Sequence, residues 1–189
     1  MLVCAEANNP VDTLLMKFME TDTFLSVFDP IRYSCVRIGN NENIPGVVHH
    51  YKLDNTVDRL ASKRNVVLNQ KTRMWCKKAL KLEKEVLLDA GFVFSTQCAL
   101  YRDLIKDHFT DPANKFDYAI VDEASQSFLG FSLMAIHMAK RVIFAGDHMQ
   151  LPPVVKADMY THILEKSLFE RLVIASKDQG RDRYTLLDE

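Results

Sequence analysis

Short runs that are apolar at nearly every position recur along the chain, at Leu2–Ala5, Ser34–Ile38, Phe92–Thr96, Tyr118–Val121 and Val142–Ala145. They are rich in β-branched and aromatic residues, the pattern of strands buried on both faces. Between them the apolar spacing becomes helical: Val11–Glu20 after the turn-like Asn8-Asn9-Pro10, then Leu100–His108, Leu129–Ala139 and Leu164–Ser176. Strand alternating with helix predicts a parallel sheet covered on both sides, and so a three-layer α/β domain.

One region breaks the rhythm. From Arg59 to Lys84 nine basic residues stand against a single acid, Glu83, and the apolar spacing from Leu68 to Leu88 suits long helices. The pattern predicts a basic helical insertion over 45–88, between an opening segment 1–44 and the remainder, 89–189. A solvated helical face and a phosphate-facing surface both fit this run.

Composition narrows the class. At 189 residues, 48% apolar and 26% charged, the chain can bury one sizeable core. The formal charge of −1 supplies no global positive field, so any nucleic-acid surface must be local. Cys4, Cys35, Cys76 and Cys98 are scattered without a CxxC pair, which indicates neither a disulfide framework nor a zinc site and fits a cytoplasmic or nuclear protein. The run Phe131 to Ala145 is interrupted by His137, Lys140 and Arg141 and is too short to span a bilayer. The N-terminus lacks the features of a signal peptide and reads as a strand entered partway through a fold.

Candidate chemistry gathers at two strand ends. Asp122 and Glu123 follow the apolar run "DYAIV", at the carboxyl end of a strand, where open parallel sheets bind ligands. An aspartate there can help hold Mg²⁺ and a second carboxylate can polarise an attacking water; an acidic pair that merely caps the next helix is the plainer reading. The next strand leads to Asp147, His148, Gln150 and the tandem Pro152-Pro153. A turn followed by a rigid extended segment accounts for the glycine and prolines but not for Gln150. His49-His50 has no third ligand at useful spacing and reads as loop, and a catalytic base at His148 would duplicate Glu123.

"VDEASQ" followed by "VIFAGDHMQLPPVV" resembles motifs II and III of superfamily 1 helicases, in the branch that holds the nonsense-mediated-decay RNA helicase and the immunoglobulin mu-binding helicase. "LVCAEANNPVDTLL" looks like motif Ia of that branch, "VRIGN" and "FSTQCAL" resemble its next landmarks, and "SLFERL" resembles the segment after motif III. The resemblance covers nearly the whole chain and implies a RecA-like P-loop NTPase fold, here a first motor domain that begins after its first strand and helix.

The resemblance also implies roles. Asp122 would hold Mg²⁺, Glu123 would orient or deprotonate the hydrolytic water, and Gln150 would sense the γ-phosphate of ATP, with Asp147 beside it. Asn8, Thr96, Pro152 and Pro153 would meet single-stranded RNA or DNA. By residue chemistry alone Asn8 equally suits a helix cap, and Thr96 a strand end. Glu6 and Ala7 stand where the family usually has a proline and a hydroxyl residue. A second motor domain in cis and 5′-to-3′ movement are also implied, and the protein is expected to be monomeric with no membrane partner.

A phosphate loop needs Gly-Lys followed by Ser or Thr. The six glycines are followed by Asn40, Val47, Phe92, Phe131, Asp147 and Arg181, so these 189 residues contain none. The alternatives to a helicase motor are a catalytically inactive nucleic-acid-binding remnant, which the basic insertion would serve, and a protein-interaction module docking through that insertion.

Overall fold

The computed structural model describes residues 1–20, 34–39, 44–68, 76–102, 105, 107, 109–147, 149–155, 164–180 and 185. Five strands form one sheet: β1 (Leu2–Ala5), β2 (Ser34–Ile38), β3 (Ala90–Thr96), β4 (Phe116–Val121) and β5 (Ala139–Phe144). Every pairing is parallel and the order is β2-β3-β1-β4-β5. Among the described residues the helices are α1 (Asn8–Glu20), α2 (Gly46–His49), α3 (Leu53–Lys63), α4 (Lys77–Asp89), α5 (Leu129–Met138) and α6 (Leu168–Asp178), with a 3₁₀ turn at Cys98–Tyr101. The α/β class and the RecA-like parallel sheet are as the sequence predicts.

The order explains which face each helix covers. From β1 the chain moves two places along the sheet to β2, and afterwards it moves back through β3, β4 and β5. Right-handed crossovers then put α1 on one face, where the short α2 joins it, and α3, α4 and α5 on the other. Accordingly Val3, Ala5, Phe92 and Phe94 pack with Val11 and Leu15 of α1 and Val48 of α2. Leu2, Cys4, Val93, Ala119 and Val121 pack on the opposite face with residues of α3, α4 and α5.

This corrects the expectation that all five strands are buried on both faces. On the α1 side of β4 and β5, Tyr118 is 37% and Ile143 51% exposed, and Arg141 lies over the Tyr118 ring at 5.4 Å. A run of apolar residues cannot report which of its faces a neighbour reaches.

Helix boundaries moved for local reasons. Asn8-Asn9-Pro10 forms the opening of α1 rather than a turn before it, as a proline in a first helical turn allows. The helix expected from Leu164 begins at Leu168, because Ser167 Oγ accepts from Glu170 N at 3.1 Å in a Ser-x-x-Glu cap. At Leu100 the chain is in the 3₁₀ turn; residues 103, 104, 106 and 108 lie outside the described set. In place of long helices, 45–88 contains the separate α2, α3 and α4. Its lysines 77, 78, 81 and 84 are exposed on α4, whereas Arg64 pairs with Glu85 and Arg59 with His50 and Thr56. Lys71 and Arg73 lie outside the described residues.

Candidate functional site

The carboxyl ends of β1 and β4 lie side by side at the point where the strand order reverses, the crevice that ligands favour in open α/β sheets. Asp122 begins there: its backbone N–H donates to the Cys4 carbonyl at 2.8 Å, which extends the β1–β4 ladder by one residue. Burial and the neighbouring Asp122 carboxylate push the Cys4 thiol up to about 12. Asp122 and Glu123 are both half-buried.

Glu123 has φ of 50°, in the left-handed region that few residues other than glycine enter. Such backbone costs roughly 1–3 kcal/mol and persists where surrounding structure enforces it. The enforcement is visible on both sides. Ala145 N donates to Val121 O and Ala124 N donates back to Ala145 O, each at 2.8 Å. The Glu123 side chain accepts from Gln126 Nε2 at 3.1 Å.

The same pairing brings the segment after β5 alongside. A Cβ placed on Gly146 would lie 3.0 Å from both Ala124 N and Ser125 N, so only glycine lets the two turns approach this closely. Asp147 then organises its own turn: Oδ1 accepts from Met149 N at 2.8 Å, Oδ2 accepts from Gln150 Nε2 at 3.2 Å, and its carbonyl accepts from Gln150 N at 3.1 Å. Asp147, Gln150 and Pro152 are exposed and Pro153 is buried; His148 lies outside the described residues.

The other predicted contacts stand on the β1–β3 side. Asn8 opens α1, and its Oδ1 accepts from Arg37 at 2.8 Å. Thr96 is 7% exposed and its Oγ1 accepts from Ala99 N at 3.2 Å, so its hydroxyl caps the 3₁₀ turn. Asn8 and Thr96 therefore sit at the ends of paired strands, next to the turn that carries Asp122 and Glu123.

Arg37 and Gln97 were not among the sequence candidates. Arg37, 1% exposed, donates to Asp12 Oδ1 at 2.9 Å, to the Gly39 carbonyl at 2.5 Å and to Asn8, and so clamps the start of α1 to the end of β2. A cation inside the apolar run "SCVRI" was the available signal. Gln97, fully buried, accepts from Ser127 Oγ at 2.7 Å, while its Nε2 has no hydrogen-bond partner. An orphaned buried amide costs about 1–3 kcal/mol. Nothing in "FSTQCAL" distinguishes it from an exposed loop glutamine.

Among the described residues no group of three or more His, Cys, Asp or Glu side chains is gathered as a metal cage. Mg²⁺ does not ask for one: it is held by one or two carboxylates together with nucleotide phosphates and waters. Hard carboxylate donors at Asp122 and Glu123 fit that chemistry. No helix among the described residues is long and apolar enough to cross a membrane.

A family model described as "AAA domain" matches residues 63–158, about half of the chain. The chain is 30% identical over 196 aligned positions to the ATP-dependent helicase upf1 of Schizosaccharomyces pombe, an alignment covering 95% of the chain and 20% of that protein. It is 42% identical over 84 residues to the DNA replication ATP-dependent helicase/nuclease DNA2 of Saccharomyces cerevisiae, covering 44% of the chain and 5% of the relative. It is 33% identical over 93 residues to an uncharacterized ATP-dependent helicase of Methanocaldococcus jannaschii, covering 49% and 13%. The chain thus spans a fifth or less of the length of these relatives. With the parallel sheet and two loaded strand ends already in view, these matches make the chain a member of the AAA-domain family and a superfamily 1 helicase-like motor-domain protein.

Proposed function

We propose that the chain carries hydrolytic and strand-contacting residues of an ATP-dependent helicase that moves on single-stranded RNA or DNA. The observation that carries this reading is the left-handed Glu123, locked by the β5 pairing and by Gln126 at the carboxyl end of a central strand. Strain held in place beside a ligand crevice marks a residue whose position matters more than its comfort.

In this reading Asp122, with nucleotide phosphates, would hold Mg²⁺, which when bound would supply positive charge against the phosphates. Glu123 orients the hydrolytic water and takes its proton. Gln150 senses the γ-phosphate; its amide is now turned onto Asp147, so sensing requires exchange of that bond for a phosphate oxygen. Asn8 and Pro152 line the strand path, the buried Thr96 and Pro153 support it from beneath, and the exposed α4 lysines of the 45–88 insertion extend it with positive charge. The segments 1–44 and 89–189 form the motor-domain body in this assignment, and a second motor domain completes the machine. These 189 residues contain no Gly-Lys-Ser/Thr loop, so by themselves they are expected to show no appreciable ATPase.

The test is Glu123→Gln in the intact protein that carries this sequence. Turnover should fall by about 10²-fold or more while ATP binding persists. ATPase activity at the unaltered rate in that variant removes Glu123 from the mechanism.

A further inference from the structure

One residue touches the loops on both sides of the crevice. The Gln97 backbone N–H donates to the Ala5 carbonyl at 2.9 Å, at the end of β1 just before α1 opens at Asn8. Its side-chain Oε1 accepts from Ser127 Oγ at 2.7 Å, within the turn that begins at Asp122. Ser127 Oγ lies 2.9 Å from Ser132 Oγ on α5, and all three side chains are fully buried. Thr96, the last residue of β3, is its immediate neighbour.

Filling core volume does not explain this arrangement. A leucine or methionine would fill the same space without a buried Nε2 that lacks an acceptor. A polar link that is satisfied at one end and open at the other completes its hydrogen bonding when its neighbours shift. Ser125 Oγ, buried in the same turn, is also without a partner.

We infer that Gln97 is a positioning residue that couples the nucleotide side of the crevice to the strand side, an inference that rests on the function proposed above. The Ser127 hydroxyl reports the position of the Asp122–Glu123 turn to the Gln97 side chain. The bond from Gln97 N to Ala5 O passes it to the backbone beside Asn8 and Thr96. In the shifted arrangement the Nε2 group gains its acceptor.

The experiment uses the intact protein and measures ATP hydrolysis with and without a single-stranded oligonucleotide, oligo(U) or oligo(dT), together with oligonucleotide affinity. Gln97→Met keeps the volume and removes the amide. Gln97→Met with Ser127→Ala also removes the other partner, and it carries the test if the single variant folds poorly. Both should keep the strand-free rate and the oligonucleotide Kd within about twofold, while strand stimulation falls by about tenfold. Unaltered stimulation overturns the inference, and so does an equal loss of strand-free and stimulated rates, which means that Gln97 only supports the fold. If the unaltered protein hydrolyses ATP at a rate indifferent to either oligonucleotide, the coupling inference fails while the ATPase reading stands. If it hydrolyses none, both fail.

Discussion

The backbone N–H of Ala124 donates to the carbonyl of Ala145 at 2.8 Å, and this bond sets the turn after β4 directly against the segment leaving β5. The two candidate motifs are thereby tied through backbone. Gly146 lies at the point of closest approach, with no room for a Cβ against Ala124 N and Ser125 N.

Gly146→Ala should therefore force two backbone segments apart. Overpacking of this kind costs about 1–3 kcal/mol, which urea unfolding will show as a lower midpoint at unchanged slope. A variant as stable as the unaltered chain means that the two turns are not pressed together as described.

Arg37→Met leaves Asp12, 2% exposed, as a buried carboxylate without its guanidinium. Breaking one side of such a pair costs about 3–5 kcal/mol, whereas replacing both members with apolar residues is far milder. Arg37→Met with Asp12→Leu should accordingly recover most of the loss in a denaturant titration. If the double variant is no more stable than the single one, the pair is not what holds α1 to β2.

Alkaline pH should weaken the fold through Cys4. Its folded-state value is pushed up to about 12 from 9.0, first by burial and then by the Asp122 charge, and burial raises Cys35 in the same direction to about 11. With the folded value above the unfolded one, the folded protein holds more protons, so the contribution is complete below pH 9 and is lost as pH rises towards 12. For Cys4 the slope is about 1.4 kcal/mol per pH unit. Between about pH 8 and about pH 10.5, Cys4→Ala should lose about 2 kcal/mol less stability than the unaltered chain. Equal losses in the two proteins would assign the alkaline effect to other groups.

Much of the fold was legible because its signals are local. The runs at Leu2–Ala5 and Ser34–Ile38 match their strands residue for residue, and the acidic pair at 122–123 lies at a strand's carboxyl end as read. Local chemistry was misread at Asn8-Asn9-Pro10, where a turn-like composition also suits a helix start, and at Ser167, where a side-chain cap moved a boundary. Gly146 could be read as a turn residue but not as a contact, because the backbone it touches lies some twenty residues away in sequence.

By itself the sequence determined the alternation of strand and helix, the parallel sheet, the family and the strand ends at which carboxylates and amides would appear. These follow from side-chain period and short motifs, which neighbours in the chain settle among themselves. The tertiary structure alone decided that β1 lies between β3 and β4, so that Asn8 and Asp122 flank one crevice. It also decided that one face of β4 and β5 stays exposed, that Arg37 is buried against Asp12, and that Gln97 bridges Ala5 and Ser127. Each of these depends on pairings between residues far apart in the chain, whose partners become definite only when the crossovers have been made and the core has closed.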